Sequence, residues 1–91
     1  MHSNELNHYE AIVDNLTEQF KAEREHWNNL DKRFVIWTHQ AGDEFDAQAD
    51  VERVIKCLMS YYRETEDQII DRLEKSNFNN PVTMNDEIFW I

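Results

Sequence analysis

Glu23 and His26 stand three residues apart in Glu23-Arg24-Glu25-His26, inside a stretch that reads as helical. At that spacing a carboxylate and an imidazole share one helix face, the arrangement by which helical bundles hold iron or manganese. A di-metal site also needs inward acids from the facing helix, and the apolar seam of the facing segment, Val51 to Ile69, supplies Thr65 but no acid. A buried Glu23 is more simply met by Arg24 or Lys21 of a partner chain, or marks helix register as an isolated polar seam residue. The sequence therefore predicts no metal and no cofactor. Cys57, the only cysteine, sits in an apolar helical run and reads as a small buried hydrophobe. No glycine-rich phosphate loop, paired-cysteine metal motif or nucleophile with a neighbouring base can be read, so a non-enzymatic protein is expected.

Arg33 and His39 are separated by five residues. This spacing resembles the Arg-x4-6-His motif of the HEPN ribonucleases, which are small, helical and dimeric. The arginine is followed here by Phe34 rather than the polar residue common in that family, and the acidity of the chain is ill suited to holding RNA.

The carboxylates form a clearer pattern. Glu10, Asp14 and Glu18 recur every four residues, which sets them about 6 Å apart along one helix edge, near the spacing of phosphates along a DNA strand. Glu64, Asp67, Asp71 and Glu74 make a second row, and Asp43, Glu44, Asp46 and Asp50 cluster with no basic residue among them. A plain solvated helix face accounts for such rows in many acidic domains.

The elements that position these groups follow from apolar spacing. Leu6, Tyr9, Val13, Leu16, Phe20, Trp27, Leu30, Phe34, Trp37 and Ala41 alternate three and four apart, with Glu23 in the one charged slot. This is a coiled-coil heptad pattern free of proline and glycine, and it predicts one helix over about 4–41, capped by Ser3 or Asn4. Gly42 is the only glycine and suits the left-handed residue after a helix, while Asp43 can cap the next helix. A second helix is expected over about 44–75, ended by Asn77 and Asn79-Asn80-Pro81, followed by a C-terminal tail over 78–91. The expected fold class is thus all-α, a single domain over 1–91 formed by a long antiparallel helical hairpin with a docked tail. A helix of this length needs a partner, so a homodimer is expected, with Val13, Leu16, Phe20, Glu23, Trp27 and Leu30 at the interface.

A competing α+β reading stays open. Arg33 to His39 is rich in β-branched and aromatic residues and can be a strand paired with Glu87 to Ile91. The tail's Ile88-Phe89-Trp90-Ile91 must dock somewhere, against the chain itself or on another protein, where it would serve as the anchor of a helical adaptor.

Nineteen acidic against nine basic side chains give a net charge of −10, with 41% hydrophobic residues. This is acidic but not disordered, and it opposes direct binding to nucleic acid or to an anionic membrane. Small size, acidity, asparagine-rich polar spacing and the carboxylate rows together resemble the acidic DNA-mimic inhibitors that phages encode, the anti-restriction and anti-CRISPR class. That resemblance implies a basic DNA-binding or DNA-processing protein as partner, bound through the acidic residues named above. The absence of a signal peptide or an 18-residue apolar span predicts a cytoplasmic protein. The alternatives are the tail-anchored adaptor and a Glu23/His26 metal protein.

Overall fold

A computed structural model describes the backbone of residues 2–91 and the side chains from Tyr9 onward. The Leu6 seam position and the capping by Ser3 or Asn4 lie outside the described side chains. Helix α1 spans His2–Arg33, strand β1 Trp37–Gln40 and strand β2 Ala47–Gln48, followed by helices α2, Val51–Tyr62, and α3, Glu66–Glu74. A closing hairpin pairs strand β3, Pro81–Met84, with strand β4, Glu87–Trp90. The fold is therefore α+β, and the all-α helical hairpin and its coiled-coil framing are overturned by a four-stranded antiparallel sheet of order β2-β1-β4-β3.

Three local causes produce the difference. The long first helix stops at Arg33 because Val35-Ile36-Trp37-Thr38 gains more as extended chain. Ile36 becomes fully buried and β1 pairs with β4 in the register Thr38↔Phe89, His39↔Ile88 and Gln40↔Glu87, within the region of the competing strand-pair reading. The seam residue Trp37 is left about half exposed. Gly42 does not follow a helix. It sits at the third position of a turn closed by Asp43 N–H on the Gln40 carbonyl, 2.9 Å, with φ of 89°.

The expected second helix is two helices, and its start is late. Asp43 accepts from the Phe45 N–H at 3.0 Å and holds a loop, while Asp50 caps α2 by accepting from the Glu52 N–H. Arg63 ends α2 in a left-handed conformation. Thr65, expected on an apolar seam, caps α3 instead. Its hydroxyl accepts from the Gln68 N–H at 3.3 Å, and the Gln68 side chain accepts from the Thr65 N–H at 2.8 Å. This is a reciprocal capping box.

The tail is a β-hairpin. Asn85 and Asp86, at φ of 51° and 62°, form the two-residue turn whose left-handed backbone matches strand twist, a conformation these two residue types tolerate. Pro81 opens β3 at the sheet edge, where its missing N–H costs no ladder bond. Mutual bonds between Asn80 and Ile91, 3.0 and 2.7 Å, extend the ladder one pair further.

Thr38, Phe89 and Val82 lie abreast on three strands and are all buried. They form the sheet's contribution to a core completed by Val51, Val54, Ile55 and Leu58 of α2, Ile69 and Leu73 of α3, and Leu30 and Phe34 at the end of α1. Asp31 ties α1 to α2 by accepting from the Val51 N–H at 3.3 Å.

Candidate binding surface

Residues 9 to 26 of α1 are all exposed, and Trp27 is the first to be partly buried. The helix thus leaves the body, residues 27–91, and projects from it. The molecule measures 62 × 27 × 24 Å with a radius of gyration of 18.4 Å, against about 12 Å for a compact chain of this length. Two faces run along the projection. Tyr9, Val13, Leu16 and Phe20 form an apolar stripe, flanked by Ile12, and Phe20 is 68% exposed. Asp14 and Glu18 occupy the side turned away from that stripe and Glu10 lies at its edge, because four-residue steps starting one residue after Tyr9 carry the row from about 100 to 180° around the helix.

The predicted acidic surfaces differ sharply in how they are neutralised. On and beside α3, Glu64 accepts from Arg72 Nε at 2.6 Å, Asp71 from Lys75 at 2.8 Å, and Glu74 from Arg33. Those contacts hold the Arg72 guanidinium and the Lys75 ammonium above their ordinary pKa ranges, each chiefly through the hydrogen bond to its acid. In the loop before α2, Asp43 and Asp50 accept from backbone N–H groups and Asp46 lies 3.0 Å from His39 Nδ1. Glu44 and Asp67 are exposed without such roles. Among the described residues, no ion pair involves Glu10, Asp14 or Glu18. Of the acids expected from sequence to bind a partner, Glu10, Asp14 and Glu18 on the projecting helix and Glu44 and Asp67 on the body lack a cationic or backbone partner among the described residues.

The predicted interface residues also divide. Val13, Leu16, Phe20 and Glu23 are exposed on the projection, whereas Leu30 is buried in the chain's own core and Trp27 packs against it. Glu23 and His26 do not gather a metal set. His26 Nε2 is 3.2 Å from Glu66 of α3, its ring stacks edge-on against Trp27, and no group of three potential ligands exists among the described residues. Arg33 and His39 end up on different elements, one paired with Glu74 and the other facing Asp46, so the HEPN-like spacing builds no common site.

Sequence reasoning missed one polar cluster. Arg53 donates to both oxygens of Glu87, at 2.6 and 2.9 Å, and the Thr38 hydroxyl lies 2.8 Å from Glu87 Oε1 and 2.9 Å from the Ile88 carbonyl. The Arg53 hydrogen bonds draw the Glu87 carboxyl below the ordinary glutamate range, against the opposing effect of burial, with Thr38 assisting. Only 14% of the Glu87 side chain is exposed. The cluster bolts α2 to the sheet and is structural. Beside it, a groove of about 650 Å³ is lined by Arg53, Lys56, Cys57, Tyr61, Met84 and Asn85, so Cys57 is partly rather than fully buried. No base hydrogen-bonds Cys57 or Ser60 among the described residues.

No described helix is long and apolar enough to cross a membrane. Comparison with family models, curated proteins and solved structures finds no match to this chain.

Proposed function

We propose that the protein acts by binding, as a non-enzymatic inhibitor that occupies the basic nucleic-acid-binding surface of a cytoplasmic defence or DNA-processing protein. The observation that carries this reading is the contrast between the two acidic rows. The α3 row is engaged by Arg72, Lys75 and Arg33, while Asp14 and Glu18, with Glu10 beside them, stand on an exposed helix clear of the body. Each four-residue step along that row rises about 6 Å and turns about 40° in a right-handed sense, so the carboxylates wind with the hand of a DNA strand. A basic groove that releases its counterions to such a row gains the entropy it would gain from DNA.

Asp14→Asn with Glu18→Gln tests it, because both residues face away from the apolar stripe and the change alters charge alone. The wild-type protein, immobilised and exposed to lysate of the producing cell, is expected to retain a basic DNA-binding protein that duplex DNA displaces. Raising salt from about 50 to 200 mM should weaken that complex more than the complex of the double variant. Each charged group of the row that is buried in the complex should weaken binding about tenfold when replaced by its amide. Retention that is indifferent to DNA and salt, and unchanged in the double variant, refutes the reading.

A further inference from the structure

We infer that a second copy of this chain covers the Val13, Leu16 and Phe20 stripe, packed antiparallel along the projecting helix. The first ground is the size of what is left open. Phe20 and Tyr9 are about two-thirds exposed, Val13 58%, Leu16 45% and Ile12 41%. These side chains leave on the order of 500 Å² of apolar surface per copy, so pairing two copies covers about 1,000 Å², the lower limit of a specific interface before polar flanks are counted. Among the described residues Val13 and Leu16 meet no part of the body and Phe20 borders a groove shared with Trp27 and Glu52, while helices in water draw most of their stability from packing such a face.

The second ground is orientation, which the body decides. Trp27, Leu30 and Phe34 continue the same heptad positions as Val13, Leu16 and Phe20, and they face α2 and the core. The body thus lies on the seam side of α1, at its C-terminal end. Two copies paired in parallel would force both bodies into the space between the helices. The parallel arrangement would also set Glu23 against Glu23 of the other copy, a like-charge pair at the seam. Antiparallel pairing sends the bodies to opposite ends.

The register follows from the stripe. The seam residues of the stripe, Tyr9, Val13, Leu16 and Phe20, have their centre between Asp14 and Asn15, midway from Val13 to Leu16. Self-pairing about that centre stacks Val13 on Leu16 twice at the dyad and Tyr9 on Phe20 at each side. The edges of the stripe then bring Glu10 beside Thr17 and Ile12 beside Gln19, with no like charges opposed. Asp14 and Glu18 remain outside. Two chains of net charge −10 can therefore meet on this face, because no seam residue from Tyr9 to Phe20 is acidic and Glu10 at the edge faces Thr17 rather than another acid.

The pairing leaves Asp14 and Glu18 uncovered for the proposed basic partner, since both lie on the side of the helix away from the stripe. Sedimentation equilibrium at micromolar concentration is expected to give twice the 11.1 kDa of one chain. Val13→Asp with Leu16→Asp should weaken association roughly 100-fold or more while leaving the urea midpoint of the body unchanged. For orientation, Tyr9→Cys and Phe20→Cys are made separately in a Cys57→Ser background and oxidised. Antiparallel pairing predicts a disulfide when the two variants are mixed and little in either alone, because like positions lie about 16 Å apart along the axis. A monomeric wild type, or efficient cross-linking of each variant with itself, overturns the inference.

Discussion

The two halves of α1 carry the same apolar spacing and meet opposite fates. Trp27, Leu30 and Phe34 turn into the core against α2, while Val13, Leu16 and Phe20, on the same heptad positions, face solvent. A heptad pattern therefore states that a helix face requires cover, but it is silent about what supplies it. In the C-terminal half the cover is a short helix of the same chain, held by Asp31 on the Val51 N–H. In the N-terminal half nothing within the described residues supplies it. The contrast extends to charge, since most acids of the body are engaged by arginine, lysine, histidine or backbone, and the carboxylate row of the projection pairs with no cation among the described residues.

Mutations should separate the halves most strongly in stability. Leu58 is fully buried at the centre of the body, and Leu58→Ala is expected to cost about 2 to 5 kcal/mol, read as a lowered urea midpoint. The Arg53–Glu87 contact comes next. Glu87→Gln at neutral pH removes a charge-assisted pair from a mostly buried carboxylate and should cost about 1 to 3 kcal/mol. Because the folded Glu87 pKa is depressed, its contribution is complete at pH values above the ordinary glutamate pKa, about 4.3, and is lost as pH falls through the lower folded value. The stability gap between wild type and Glu87→Gln should accordingly close on acidification over that window. A gap that stays constant from neutral pH to below that window would remove Arg53 as its cause.

Smaller effects refine the same comparison. Thr65→Ala breaks the hydroxyl half of the capping box and should cost about 1 kcal/mol, with the loss in helicity confined to α3. Smallest of all is Phe20→Ala, which in dilute solution should change the body's stability by less than about 0.5 kcal/mol despite removing a whole aromatic ring. A destabilisation like that of Leu58→Ala would show that the projection folds back on the body.

Several features of the fold can be found in the residues once their local chemistry is weighed. Thr65-Glu66-Asp67-Gln68 is a capping-box sequence, and Asn85-Asp86 between Met84 and Glu87 suits a two-residue hairpin turn. Apolar periodicity outweighs both when it is read alone, since it counts Thr65 as a seam residue and leaves the tail as a docked segment. The late start of α2 is less legible, because Asp43 and Asp50 are equally good caps in isolation. Ala49 N–H bonding to the Ile36 carbonyl at 2.8 Å holds the intervening chain beside β1 and passes the role to Asp50.

By itself the sequence determined the acidity, the long first helix, the helical character of 51–62 and 66–74, and the apolar stripe with its opposed carboxylate row, because each is a property of neighbours within two turns. Tertiary structure alone decided where α1 ends and which acids remain unneutralised. Ile36 and Thr38 become extended only because β4 offers a ladder and a core face in return, and Glu64, Glu74 and Glu87 are neutralised by cations that lie from 8 to 41 residues away. Local periodicity cannot encode the distant pairings, since their free energy arises from contacts that exist only after the chain has closed on itself.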